Sequence, residues 1–276
     1  MRNNKKRRPE VVIISDTHLG TYGCHAKELL AYLKSIKPRM LILNGDIIDI
    51  WQFSKRYFPK SHFEVIRRIF KMMANGTQVY YLTGNHDELL RRLPRIDAGN
   101  FRLQNRLLLT LDGKKHWIFH GDVFDVSMQY AKWLAKLGAI GYDTLIVINK
   151  MINFLSEWLG YGKVSLSKRV KDSVKTAIKY INDFEKLAAD LAIEKGYDCF
   201  VCGHIHQPVM KDIVTPLGKV RYLNSGDWVE NLTALEYEKG EWTLYDHLVA
   251  TDAEQSASPE APLSPENISD MLIATA

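Results

Sequence analysis

Five short apolar runs in this chain each stop at side chains able to hold a metal ion. Val11–Ile14 is followed by Ser15-Asp16-Thr17-His18, and Met40–Leu43 by Asn44-Gly45-Asp46 with Asp49 beyond. Val79–Leu82 leads into Thr83-Gly84-Asn85-His86-Asp87, and Trp117–Phe119 into His120-Gly121-Asp122. Cys199–Val201 leads into Gly203-His204-Ile205-His206. Continuous apolar runs of this length, rich in β-branched residues, fit strands buried on both faces. Ala26–Ile36 and Phe63–Ala74 carry apolar residues at three- and four-residue spacing, so helices are expected between the early strands. Alternating strand and helix predicts an α/β fold. The stretch from Val220, VRYLNSGDWVENLTALEYEKGEWTLY, has the pattern of strands joined by turns, so the sheet is expected to be mixed.

In open α/β sheets, ligands bind beyond the carboxyl ends of strands, where these five tips can converge. Carboxylates and imidazoles without a thiolate suit Mn²⁺, Fe²⁺ or Zn²⁺. Asp16/His18 and His204/His206 are spaced i, i+2, which in an extended segment points both side chains the same way. Asp16, His18, Asp46, Asn85, His120, His204 and His206 together make a donor set of the size a two-metal site needs, with one carboxylate shared. Glycines beside four of the tips permit sharp turns. Taken singly, an Asp-x-His is usually a cap or surface pair, a His-x-His usually structural, and Asn-Gly-Asp a turn; five in order, each after an apolar run, exceed coincidence.

The remaining composition sets bounds. The 276 residues suit one large domain or two small ones, and a net charge of +5 fits an anionic partner without choosing among phosphate, nucleic acid and membrane. Three cysteines are too few for a disulfide framework. Cys199 and Cys202 lie three apart on one predicted strand, so they face opposite sides and are expected as buried small hydrophobes. The opening MRNNKKRRPEVVIISD has too short an apolar run for a signal peptide, which with no 18-residue apolar span predicts a cytoplasmic or peripheral protein. Residues 1–9 are expected as a basic flexible segment, 10–250 as the domain, 124–198 as a helical insertion within it, and 251–276, rich in Ser, Pro, Ala and Glu, as a disordered tail.

D-x-H, G-D-x-x-D, G-N-H-D, H-G-D and G-H-x-H, in this order across residues 11–208, resemble the calcineurin-like metallophosphoesterases. The resemblance implies a four-layer α/β/β/α sandwich of two mixed sheets, a helical cap insertion, and a dinuclear site holding two divalent ions such as Mn²⁺. By the same resemblance Asp16, His18, Asp46 and His206 would hold one metal, and Asp46, Asn85, His120 and His204 the other. Two cations would leave a residual positive field for a phosphate oxygen and lower the pKa of water between them. His86 would stabilise the developing charge or protonate the leaving oxygen, with Asp87 orienting it and Asp49 placed behind a ligand histidine.

Between His120 and His204, Leu145, Ile148, Ile152, Leu155 and Leu159 make one helical stripe beside Val147, Met151, Phe154 and Trp158. Such a wide apolar face fits a helix buried between neighbours or a cap that holds acyl chains at a membrane surface. Lys171, Lys175 and Lys179 form a ladder that is either a solvated face or a contact to anionic substrate. Within the family, the arrangement looks like the UDP-2,3-diacylglucosamine hydrolases of lipid A synthesis. Those enzymes have a helical cap in this interval, G-D-x-x-x-x-W matched by Gly45, Asp46 and Trp51, and a Gly-Asp-Trp matched by Gly226, Asp227 and Trp228. Resemblance makes Trp51, Arg169 and Lys175 substrate contacts and implies a phosphate-containing lipid or nucleotide substrate, cut on the cytoplasmic face of the inner membrane. One departure stands out: that group typically has arginine where this chain has His86. Arginine suffices for a pyrophosphate, whose leaving group is a weak base, whereas a histidine proton suits an alkoxide. A general phosphodiesterase or phosphatase acting on nucleotides is therefore the rival expectation; nucleic acid is not favoured, because +5 without a long basic stripe is thin for DNA.

Overall fold

The computed structural model describes residues 6–49, 57–127 and 181–256. Twelve strands form two mixed sheets among them. The first sheet has the order β12-β11-β1-β2-β3-β5-β4, where β1 is Val11–Ile14, β2 Met40–Asn44, β3 Gln78–Leu82, β4 Ile96–Ala98, β5 Phe101–Gln104, β11 Thr233–Glu238 and β12 Glu241–Asp246. The second has the order β6-β7-β8-β10-β9, with β6 Arg106–Leu111, β7 Lys114–Phe119, β8 Cys199–Cys202, β9 Val209–Thr215 and β10 Gly218–Asn224. β1, β2, β3 and β5 run parallel, as do β7, β8 and β10, while the outer strands are antiparallel.

Strand periodicity builds the layers. Val12, Ile14, Leu41, Leu43, Val79 and Tyr81 face outward beneath helices α1 (Ala26–Ser35) and α2 (Lys60–Ala74), which supply Leu29, Leu33, Val65 and Ile69. Their neighbours Val11, Ile13, Met40, Ile42, Tyr80 and Leu82 face the second sheet and meet Ile118, Val201 and Leu223. On that sheet's far side, Trp117, Phe119, Phe200 and Tyr222 pack against Phe184, Ala188, Ala189 and Ala192 from a helix over 181–194, here α3. The result is an α/β/β/α sandwich, with the three apolar layers of a helix-clad double sheet. Burial on both faces is why these strands lack the polar alternation of a half-exposed sheet.

Cys199 lies in the middle layer and Cys202 in the outer one, and burial pushes the Cys199 thiol up to about 12 and that of Cys202 well above its usual range. They are inert packing residues.

Three boundaries differ from the sequence expectations. Arg7 belongs to the fold rather than to a flexible arm: its guanidinium pairs with Glu236 at 2.6 Å and lies 4.7 Å over the Tyr245 ring, and its backbone bridges to Ile36. The expected tail begins inside helix α4, His247–Ser256, whose first turn is capped by the Asp246 carboxylate accepting from Leu248 and Val249 N–H. Within the 124–198 interval, α3 forms the outer layer of the second sheet, because its alanine face lets it sit close on the aromatic rows. Residues 128–180, which carry the apolar stripes and the lysine ladder, lie outside the described residues, as does the tail beyond Ser256. Among the described residues no helix is long and apolar enough to cross a membrane.

Strands β4, β5, β6 and β9 were not expected from the sequence. Their burial is partial and mixed: β4, β5 and β9 interleave charged or polar residues, and the Leu107–Leu109 run of β6 alternates between half-buried and exposed positions, so none has the signature of a strand buried on both faces.

Candidate metal centre

The carboxyl ends of β1, β2, β3, β7 and β8 deliver the five motifs to one edge of the sandwich. Asp16, His18 and His206 place one donor atom each within 4.8 Å of one another, and so do Asp46, His120 and His204. His18, Asp46 and His86 form a third such group between them. His206 Nε2 lies 3.2 Å from Asp16 Oδ1, and His120 Nε2 lies 3.2 Å from Asp46 Oδ2 and 4.0 Å from Asp16 Oδ1. His204 and His206, adjacent but for one residue, therefore turn to different groups.

The backbone that achieves this is not extended. Asp16 (φ 51°), His18 (φ 47°), Asp46 (φ 54°), His204 (φ 63°) and His206 (φ 58°) all occupy the left-handed region. Each such non-glycine residue costs on the order of 1 kcal/mol. The i, i+2 pairs expected to point alike on an extended chain instead sit on tight coils. Strain concentrated on five donor residues marks a site rather than a packing accident.

Three glycines are set by space. A Cβ on Gly45 would lie 2.3 Å from His120 Nδ1, one on Gly84 2.1 Å from Asp46 Oδ1, and one on Gly203 2.4 Å from Asp16 Oδ2. The backbone is thus pressed against both carboxylates and a histidine. Asn85 sits between two residues that abut Asp46, since His86 N–H donates to Asp46 Oδ1 at 2.8 Å.

Electrostatics follow from burial. Asp16 is fully buried and Asp46 is 2% exposed. Burial alone would raise the Asp16 carboxyl, but His206 and His120 outweigh it and hold the group below its ordinary value. Asp46 is likewise lowered, against burial, by His120, His18 and His86. In return burial, which would lower His206, is overcome by Asp16, and the imidazole rises to about 9; Asp46 and Asp16 lift His120 well above its usual range.

The donor atoms suit cations. Asp16 Oδ1, His18 Nε2 and His120 Nε2 are buried without a hydrogen-bond partner, an expense native interiors avoid unless another ligand takes the bond. His120 Nδ1 donates to Asn44 O at 2.9 Å, which fixes the ring with Nε2 directed at the carboxylates, where a cation would replace its proton. Two carboxylates and four histidines, with Asn85 beside them, make a hard-to-borderline set without thiolate, which fits first-row divalent ions.

His86 and its neighbours require a correction. Asp87, expected to orient His86, does not contact its ring: its carboxylate accepts from Ile47 N–H at 3.1 Å, Gly84 N–H at 2.5 Å and Tyr81 O–H at 2.7 Å. It is fully buried beneath the loop and ties the second and third motifs together. Asp49 takes the other role, its Oδ2 lying 3.0 Å from His86 Nδ1 and 3.7 Å from His18 Nδ1. The chain turns between Asn85 and Asp87, so the adjacent carboxylate faces the core while Asp49, from the loop after β2, reaches the ring. Burial would lower His86, but the Asp49 hydrogen bond and the Asp46 and Asp49 charges raise it above its ordinary value.

Two supports were given no role by the sequence, although Asp227 stands in the Gly-Asp-Trp match and Asp122 in H-G-D. Asp227, fully buried, accepts from Val229 and Glu230 N–H and stands 3.8 Å from His206 Nδ1. Arg91 pairs with Asp122 at 2.6 Å and donates to Thr83 O at 3.0 Å, stapling the third motif loop to the fourth. Trp51, Arg169 and Lys175 lie outside the described residues.

A family profile described as calcineurin-like phosphoesterase matches residues 9–208. The chain belongs to the calcineurin-like phosphoesterases. That family implies divalent metal ions, and this member is a metal-dependent phosphoesterase hydrolase. It is 25% identical over 217 residues to a UDP-2,3-diacylglucosamine hydrolase of Blochmanniella pennsylvanica, covering 74% of this chain and 81% of that one. A UDP-2,3-diacylglucosamine hydrolase of Aliivibrio fischeri is 23% identical over 241 residues, covering 85% and 97%. Among solved structures, a dimetal phosphatase from Danio rerio aligns with a TM-score of 0.42 at 11% identity, covering 86% of this phosphoesterase and 96% of that chain.

Proposed function

We propose that this phosphoesterase cleaves the pyrophosphate of UDP-2,3-diacylglucosamine, releasing UMP and a lipid phosphate, at the cytoplasmic face of a bacterial inner membrane. The observation that carries the reading is the double carboxylate–histidine cluster at one sheet edge, in a chain similar over three-quarters of its length to hydrolases of that substrate.

Asp16, His18, Asp46 and His206 would hold one ion and Asp46, Asn85, His120 and His204 the other, with Asp46 shared; manganese is our first choice, iron and zinc the alternatives. Two bound divalent ions supply Lewis acidity to a phosphate oxygen and acidify water at the site. The chain's residues do the rest. Asp46 and Asp16 hold the histidine side chains in register. Asp49 fixes His86 through Nδ1, leaving Nε2 to carry the proton toward the leaving oxygen. The Asp49 hydrogen bond and the Asp46 and Asp49 charges, outweighing burial, raise His86 and so favour its protonated form. Trp51, Arg169 and Lys175 are the proposed substrate contacts.

The experiment is UMP release from UDP-2,3-diacylglucosamine by manganese-loaded protein in detergent micelles; no turnover at saturating metal sinks the lipid reading. His86 supports a second one, a nucleotide phosphodiesterase or phosphatase, because a proton donor serves an alkoxide better than a phosphate leaving group. That reading expects strong, detergent-indifferent turnover of bis-p-nitrophenyl phosphate.

Metal binding is expected to depend steeply on pH. His206 carries its proton below about 9, so a cation must displace it. Apparent affinity should fall as pH drops from 9 toward 6, about tenfold per unit for each proton displaced. Manganese titration calorimetry in buffers of different ionisation heat should register proton release; an affinity flat across that range refutes the ligand assignment.

A further inference from the structure

The loops that carry Asp16/His18 and Asp46/Asp49 meet a second time, away from the carboxylates. Tyr22, four residues beyond His18, stacks on Tyr57, with ring centroids 3.8 Å apart and planes 31° apart. Tyr22 is nonetheless 84% exposed, so one ring face is taken by Tyr57 and the other is open to solvent.

This pair is anchored to the metal-facing loop. Thr21 donates from both N–H and Oγ1 to His18 O, at 3.1 and 2.9 Å. Gly20 N–H donates to His62 Nδ1 at 2.9 Å, and burial lowers the His62 pKa, which keeps that nitrogen an acceptor. The His62 ring meets Tyr57 and Phe58 edge-on at 5.9 and 5.4 Å, and Phe58 covers Gly20. A solvent-facing aromatic ring held this firmly gains nothing for the core. Four residues of chain separate it from His18, a backbone reach of at most about 14 Å.

We propose that the open face of Tyr22 is a stacking platform for the nucleobase of a nucleotide substrate whose phosphates lie at the metal centre. The class of ligand rests on the nucleotide-linked reading above; the uracil of a uridine diphosphate linkage is the expected occupant. A flat heteroaromatic ring suits the surface because stacking needs a π face and little hydrogen-bond readout, so pyrimidine identity should matter little. The metals would take the phosphates and the tyrosine the base, dividing recognition between charge and stacking.

Calorimetric affinities of manganese-loaded protein for UMP and for ribose 5-phosphate test this. The wild type should prefer UMP. Tyr22→Ala should weaken UMP about tenfold and leave ribose 5-phosphate unchanged, while Tyr22→Phe should bind UMP like the wild type. Equal loss of both ligands in Tyr22→Ala, with manganese content unchanged, would show a disturbed loop instead of a lost platform and overturn the proposal. So would equal wild-type affinity for the two ligands, or UMP binding indifferent to Tyr22→Ala. Failure of the lipid reading is separate: wild type that binds UMP through Tyr22 yet leaves UDP-2,3-diacylglucosamine intact rejects the substrate and retains the platform.

Discussion

Asp46→Asn should cut turnover by about 10³-fold while the protein remains folded. Asparagine keeps the shape of the side chain, and its oxygen can still accept from His86 N–H, which now bonds Asp46 Oδ1 at 2.8 Å. What it loses is the charge. Asp46 belongs to two of the three donor groups, one shared with His18 and His86 and the other with His120 and His204, and it faces His120 Nε2 at 3.2 Å. On the proposed assignment the substitution removes the shared ligand and leaves Asp16 as the only carboxylate among the seven proposed donors. Elemental analysis after manganese loading should find one ion or fewer per chain, against two in the wild type. A fully active variant that still binds two ions would refute the bridging role. Removing charge from a buried cluster also lowers His120, whose raised pKa depends first among its partners on Asp46.

The second large effect separates two aspartates that the sequence places near one histidine. Asp87→Ala should destabilise the protein by about 3 kcal/mol, since Ile47 N–H, Gly84 N–H and Tyr81 O–H would all lose a buried acceptor. In a chain of this size that is a drop of roughly 6–12 °C in melting temperature. Asp49→Asn should scarcely move the melting temperature but lower kcat by about 10²-fold, because His86 loses the carboxylate that orients it. The pH profile carries the signature. Asp49 helps raise His86, so removing its charge lowers that pKa, and activity that needs a protonated His86 should fade at lower pH on the alkaline side. If Asp87→Ala melts like the wild type while shifting the profile, the roles are reversed.

These two residues also show where local inference fails. Asp87 follows His86 directly, and adjacency suggests partnership. A tight loop decides otherwise, because the chain turns at Asn85–Asp87 and sends neighbouring side chains to opposite sides of the backbone. The partner comes instead from 37 residues upstream. The i, i+2 histidines behave similarly. Their convergence was legible, but not the left-handed coils that produce it, since φ is set by what the loop must pack against. Asp122 stands in the H-G-D motif, but its pairing with Arg91 exists only because β3 and β7 bring their loops together.

The alternation of β1, β2 and β3 with α1 and α2, the burial of β1, β2, β3, β7 and β8, and the residues at their carboxyl ends were readable from the chain; β4, β5, β6 and β9 were not. Each rests on local rules: period, β-branching, and glycine beside a donor. Tertiary structure alone decided which donors cluster together, which aspartate lies against His86, and that Tyr22 and Tyr57 stack. Those outcomes depend on two sheets packing face to face and delivering loops distant in sequence to one edge. Pattern along a chain records which face a residue prefers, but not which residue waits across the gap.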